Sequence, residues 1–175
     1  MLRVDNKLWI ISDTHFGHHN IVYYTQRPDN HESIMLSEWA KVVGKNDHIL
    51  HLGDVALGKR GGAQRWFDTL SRLPGKKFLI KGNHDKKKNS VYEDAGFTII
   101  PEFVHKHKEI AFTHKPLCKP RLNGQSWAIN IHGHVHNHPY NTEHDGTYLE
   151  DRRYINVCVE VMDFKPQRLG DIYPL

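Results

Sequence analysis

Short runs of apolar residues recur along the chain, and each run ends in a polar turn. The runs cover residues 8–11, 48–52, 77–80, 97–100, 109–112, 128–131 and 154–159. Their lengths suit buried strands, which need about 4–8 residues, better than helices, which need about 10–12 or more. The pattern therefore predicts a chain that is rich in buried β-strands.

Two longer segments between the early strands have the spacing of amphipathic helices. In residues 32–43, Met35 and Trp39 fall on one helical face, and in residues 63–73 a similar face is centred on Phe67. A Pro-Gly pair follows the second segment and ends it. Because strands and helices alternate in the first half and strands dominate the second, we expect an α/β domain whose packed sheets are covered by helices.

The composition is that of one ordinary globular domain, which we expect to cover residues 1–175. No apolar run approaches the roughly 20 residues that cross a bilayer, and the first residues lack a leader pattern. We therefore expect a cytoplasmic protein with no membrane partner. The formal charge of +4 fits a phosphate-rich partner only weakly, but the fifteen histidines are unusual. Their scatter along the chain favours a folded metal site over a purification tag.

Five polar clusters begin where predicted strands stop, and strand ends are where α/β sheets bind ligands. The clusters are Asp13-Thr14-His15, Gly53-Asp54, Gly82-Asn83-His84-Asp85, Thr113-His114 and Gly133-His134-Val135-His136. Taken singly, each residue has a structural explanation: aspartates cap helices and shape turns, and a histidine can sit in a core. Taken together and in order, they point to a site.

The clusters offer what phosphate ester hydrolysis needs at neutral pH. Two divalent metals about 3.5–4 Å apart activate a water and neutralise the phosphoryl oxygens. Such a pair needs a carboxylate that bridges both ions and a mixture of imidazole and oxygen ligands. The carboxylate, amide and imidazole side chains of the five clusters supply that mixture.

The ordered set resembles the signature of the calcineurin-like metallophosphoesterases and covers residues 12–136. The run from Ser12 to His18 and the tail from Ile155 to Glu160 further resemble the compact bacterial and phage members. The resemblance implies a four-layer α-β-β-α sandwich with two mixed sheets. It also implies that Asp54 bridges the two metals. The metal ligands that it implies are Asp13, His15 and His136 for one ion, and Asn83, His114 and His134 for the other.

Other site residues carry weaker expectations. The resemblance makes His84 the proton donor to the leaving group or a stabiliser of the phosphoryl charge, roles that suit an imidazole. Its neighbour Asp85 either orients a histidine or shapes a turn. His18 either meets the substrate or supports a ligand, or it only marks the start of a helix. Arg27 and Lys115 would meet the non-reacting part of a phosphate substrate.

One departure from the family bears on the substrate. The protein phosphatases of this superfamily carry an arginine in the second cluster, where this chain reads Val55-Ala56-Leu57-Gly58 after Asp54. The sequence therefore favours a phosphodiesterase acting on nucleotides or other small diesters, including nucleic-acid ends. A phosphomonoesterase and a non-enzymatic metal or nucleic-acid binding module are the alternatives. The ligand types admit Mn, Fe, Zn, Co or Ni, of which Mn is our first choice, and the oligomeric state stays open.

Overall fold

The structure is a computed structural model, which describes residues 1–57, 62–138 and 151–174. Gly58, which follows the second cluster, lies outside the described residues. The strands are β1 (Trp9–Ile11), β2 (His48–His51), β3 (Lys76–Leu79), β4 (Phe97–Ile99), β5 (Phe103–His105), β6 (Ile110–Thr113), β7 (Arg121–Leu122), β8 (Gln125–Ser126), β9 (Ile129–His132), β10 (Tyr154–Asn156) and β11 (Gln167–Arg168). The helices are α1 (Ile21–Thr25), α2 (His31–Val42), α3 (Gly62–Ser71), α4 (Asn89–Asp94) and α5 (Leu169–Ile172), with a 3₁₀ turn at Val159–Val161.

Two mixed sheets form the centre of the fold. The first has the order β11-β1-β2-β3-β4, in which β1 to β4 are parallel and β11 is antiparallel to β1. The second has the order β10-β9-β6-β5, in which only the β5–β6 pair is antiparallel. The predicted α/β fold with two packed mixed sheets and helices is confirmed.

The first sheet is buried on both faces, as the largely apolar runs in its strands predict. One face, with Trp9 and Ile11, packs with Met35 and Trp39 of α2 and with Phe67 of α3. The other face belongs to a second cluster that joins the two sheets, which includes Leu8, Ile10, Leu50, Phe112 and Ile131. Full burial of each such side chain contributes about 1.5–3 kcal/mol, so the sheets are held together at a fixed spacing.

The outer side of the second sheet is covered differently in the described part of the chain. The segment that carries β7 and β8 lies there, where the main-chain N–H of Leu117 donates to Asn130 Oδ1 at 2.8 Å and its carbonyl accepts from the Tyr154 hydroxyl. No helix in the described part of the chain is long and apolar enough to cross a membrane.

The predicted strand at 154–159 is wrong in its second half. Asn156 still pairs with His132 of the second sheet. Cys158 instead forms a β-bridge to Ser12, which directly follows β1 of the first sheet. The chain therefore crosses from one sheet to the other at residue 157, and it continues as the 3₁₀ turn rather than as a strand. This crossing places Glu160 close to the ends of both sheets.

Candidate metal centre

The five clusters meet at one edge of the fold, where β1, β2, β3, β6 and β9 end. Main-chain hydrogen bonds join them: the N–H of Asp13 donates to the carbonyl of Gly53 at 3.0 Å, and the N–H of Gly133 donates to that of His114 at 2.9 Å. Because these strands are parallel within each sheet, their ends lie side by side. The edge carries the ligand set that the sequence predicts.

Two groups of side chains could each hold a metal ion. The first group is Asp13, His15 and His136, and the second group is Asp54, His114 and His134, with the ligand atoms of each group within 4.8 Å of one another. In the first group, Nε2 of His15 and Nε2 of His136 lie 3.8 and 4.0 Å from Asp13 Oδ1. The structure thus brings six of the seven predicted ligands into two groups.

Asp54 lies between the groups. Its Oδ2 is 3.5 Å from Nε2 of His15 in the first group and 3.5 Å from Nε2 of His114 in the second. Its other oxygen, Oδ1, accepts the main-chain N–H of His84 at 2.8 Å. One carboxylate oxygen is therefore shared by both groups, which is the arrangement that a bridging ligand requires.

Asn83 belongs with the second group. Its Oδ1 is 2.8 Å from Nε2 of His114. The Nδ1–H of His114 donates to the carbonyl of Leu52 at 2.8 Å, which fixes the tautomer and leaves Nε2 with its lone pair toward the group. An amide oxygen beside a lone pair is explained by a cation that both would bind, since neither atom is then a donor.

The first group contains buried polar atoms that lack a partner. Asp13 Oδ1 and both ring nitrogens of His15 make no hydrogen bond, although these residues are buried. By contrast, Asp13 Oδ2 accepts from Ser12 Oγ at 2.5 Å and from the main-chain N–H of His134 at 2.8 Å. Buried polar atoms are nearly always paired, so the unpaired Oδ1 and imidazole nitrogens fit a divalent cation.

Several of these residues have an uncommon backbone conformation. The φ angles of Asp13, His15, Asp54, His134 and His136 lie between +49° and +73°. Such left-handed backbone costs of order 1–3 kcal/mol per non-glycine residue and concentrates at functional sites. The chain is therefore not extended at His134 and His136. The chain turns there, and this turn sends the two imidazoles to different groups.

Glycines at two clusters allow the close approach of neighbouring chains. A Cβ on Gly82 would collide with the carboxylate of Asp54, and a Cβ on Gly133 would collide with the side chains of Ser12 and Asp13. The absent side chains are therefore a condition for placing both aspartates. Only glycine, which has no Cβ, fits at such positions.

Asp85 supports the bridging residue rather than a histidine. Its Oδ2 accepts the main-chain N–H groups of Asp54 at 2.7 Å and Gly82 at 2.8 Å, and its Oδ1 accepts that of Val55 at 3.1 Å. The side chain is buried, and burial raises its pKa. One carboxylate thus ties the turn after β2 to the turn after β3.

His84, His18 and Lys115 lie around the two groups. His84 is exposed, and its ring centroid is 5.5 Å from that of His15. His18 lies at the same distance from His15 on another side and is partly buried. Lys115 is exposed, and its charge contributes to the lowered pKa of His134. All three positions are compatible with contact to a bound substrate.

The expectation that Arg27 meets the substrate is wrong. Its side chain is fully buried and forms an ion pair of 2.6 Å with Glu160 Oε1. It also donates to the main-chain carbonyls of Asp13 at 2.6 Å and Thr14 at 2.8 Å. Glu160, for which we predicted no role, accepts Nδ1–H of His136 at 2.8 Å. Its place in the tail that resembles the phage members was the only available signal.

The electrostatics suit metal ligation. Burial lowers the pKa of His134 to about 4, assisted by the charges of His114 and Lys115, so the imidazole is neutral at neutral pH. Burial opposes ionisation of Asp13, but its contacts with His15, His114 and His136 outweigh this and hold its pKa well below the usual range. A neutral imidazole and an ionised carboxylate are the forms that bind cations.

Comparisons with known proteins show the family of the chain. The profile of the family described as calcineurin-like phosphoesterase matches residues 6–168. An uncharacterized protein of Methanocaldococcus jannaschii is 33% identical over 97% of this chain and 90% of its own length. The Gene 66 protein of Mycobacterium phage L5 is 36% identical over 44% of this chain and 39% of its own length. A solved structure of a protein of unknown function from Aquifex aeolicus is similar at a TM-score of 0.70 and 30% identity, covering 94% of this chain and 96% of that one.

Proposed function

Because the chain belongs to the calcineurin-like phosphoesterase family, we propose that it hydrolyses phosphodiesters of nucleotides or other small molecules with two divalent metal ions. The observation that carries this proposal is the position of Asp54 Oδ2, which lies 3.5 Å from one imidazole of each group. Asp13, His15 and His136 would hold one ion, Asn83, His114 and His134 the other, and Asp54 both. When bound, such ions supply Lewis acidity and lower the pKa of an attacking water.

The protein residues supply the remaining parts of the reaction. A water attacks phosphorus while the bond to the leaving oxygen breaks, and the leaving oxygen then needs a proton. His84 stands outside both groups, is exposed, and is held next to them because its main-chain N–H donates to Asp54 Oδ1. We assign it the transfer of an imidazole proton to the leaving oxygen.

The charges near the groups support a diester over a monoester. A monoester carries up to two negative charges and benefits from a fixed cation besides the metals. The buried guanidinium of Arg27 donates to protein acceptors instead of facing the open side. Lys115 is exposed beside the second group, where its charge contributes to the lowered pKa of His134. A diester with one negative charge needs no further fixed cation.

Exposed aromatic rings support a nucleotide as the substrate. Tyr24 of α1 is 61% exposed, and its ring centroid lies 6.3 Å from that of His18, which in turn is 5.5 Å from His15. A base stacked on an exposed tyrosine contributes about 1–3 kcal/mol. A nucleoside attached to the reacting phosphate could reach this ring.

The test compares kcat/KM, with Mn supplied, for bis(p-nitrophenyl) phosphate and p-nitrophenyl phosphate. We expect the diester to be preferred, and a monoester preference of about 10-fold, or 1.4 kcal/mol, would replace the proposal with a phosphomonoesterase.

The proposal that the substrate is a nucleotide is tested with the p-nitrophenyl esters of thymidine 5′-phosphate and methyl phosphate. Tyr24→Ala should lower kcat/KM at least about 5-fold for the thymidine ester alone, whereas Tyr24→Phe, which keeps the ring, should not. Equal effects on both esters would remove the tyrosine from the site.

A further inference from the structure

A buried ion pair stands directly behind the first group. Arg27 follows α1 and Glu160 lies in the 3₁₀ turn, so the pair joins parts of the chain 133 residues apart. Nε and one terminal nitrogen of Arg27 reach Glu160 Oε1 at 2.9 and 2.6 Å, and the two side chains are 0% and 3% exposed. Burying two charges costs solvation energy that their attraction often fails to recover. The pair therefore calls for an explanation other than fold stability.

Both ends of the pair contact the first group. The guanidinium donates to the main-chain carbonyls of Asp13 and Thr14. Both carbonyls belong to the turn in which Asp13 and His15 have left-handed backbone. The carboxylate accepts Nδ1–H of His136 at 2.8 Å. The same two side chains therefore hold the main chain of the turn that carries Asp13 and His15 and fix the tautomer of His136.

The second group has no equivalent among the described residues. The Nδ1–H of His114 donates to a neutral main-chain carbonyl, that of Leu52. Glu102 accepts the main-chain N–H of His114 at 2.9 Å, whereas the ring N–H donates to Leu52. Asn83, which completes the group, is neutral and exposed. A carboxylate behind a ligating imidazole makes it a stronger ligand.

We propose that Arg27 and Glu160 are positioning residues for the first group and make it the tighter of two unequal metal sites. The first ion is bound by Asp13 and the shared Asp54, with Glu160 behind His136. The second ion has the shared carboxylate and an amide. The chain therefore loads the first group before the second, and the second ion is the one that exchanges. This inference rests on the proposal that both groups bind metal.

Calorimetric titration of the metal-free protein with Mn²⁺ tests the inference without an activity measurement. We expect two binding steps of different affinity, and Asn83→Ala should remove the weaker one, which assigns that step to the second group. Glu160→Gln, which keeps the shape but not the charge, should weaken the tighter step about 10- to 100-fold. The weaker step should change far less. Glu38→Gln, at an exposed pair with Lys41, is the control and should change neither step.

The outcomes separate the two proposals. Absence of binding in the wild type would overturn both, because the inference needs both ions. Two steps in the wild type, with a tighter step that Glu160→Gln leaves unchanged or weakens no more than the other, would overturn only the inference. If Glu160→Gln does not fold, as judged by circular dichroism, the same comparison is made with Arg27→Lys. That variant keeps the positive charge but loses the planar guanidinium that donates to two carbonyls and to Glu160. The tighter binding step must again weaken more than the other.

Discussion

Replacing Asp85 by alanine should destabilise the protein strongly, even without metal. The carboxylate accepts three main-chain N–H groups, those of Asp54, Gly82 and Val55, at 2.7, 2.8 and 3.1 Å. Hydrogen bonds to a charged acceptor contribute about 1.5–3 kcal/mol each, and a buried donor left unpaired costs about 1–3 kcal/mol. Burial of Asp85, which raises its pKa, offsets part of this gain. A water in the vacated space would offset more, so we expect a net loss of about 3–5 kcal/mol.

Urea unfolding of the metal-free protein, followed by tryptophan fluorescence, measures this loss. Metal must be absent because a ligand bound to the folded state changes the apparent stability. Asp85→Asn retains one acceptor oxygen and should lose about half as much. Asp94→Ala, at an exposed position at the end of α4, should stay within about 0.5 kcal/mol of the wild type. A loss below about 1 kcal/mol for Asp85→Ala would refute the account of these hydrogen bonds.

Two further changes test the chemistry and the geometry of the site. His84→Asn should retain both metals and lower kcat by about 10²–10⁴-fold for esters with poor leaving groups. The loss should be smaller for p-nitrophenyl esters, whose leaving oxygen needs no proton, and a metal-free His84→Asn protein would contradict the assignment. Gly133→Ala should fold but lose metal from the first group, since its Cβ would displace Ser12 and Asp13. Elemental analysis checks this, and a full metal content would show that the turn tolerates a side chain.

The sequence predicts the strands of the first sheet better than the short or exposed elements. The runs at 8–11, 48–52 and 77–80 match β1, β2 and β3 within a residue or two at each end. Burial on both faces of the first sheet is the reason, because it makes most positions of these strands apolar. The elements α1, α5 and β11 are only two to five residues long, too short for a period to be recognised.

The supporting residues of the site are harder to predict from the sequence than the candidate ligands. The ligands follow strand ends in order along the chain, so local patterns reveal them. Arg27 and Glu160 are 133 residues apart, and neither carries a local pattern. The left-handed conformation of His134 and His136 is likewise set by the turn that packs against Ser12 and Asp13.

The metal content of the reconstituted protein tests the central claim most directly. Elemental analysis after loading with Mn²⁺ should give close to two ions per chain for the wild type. Asp54→Ala should lose metal from both groups, because its Oδ2 lies 3.5 Å from an imidazole of each. A wild type that holds one ion, or an Asp54→Ala variant that still holds one tightly, would contradict a dinuclear centre bridged by this carboxylate.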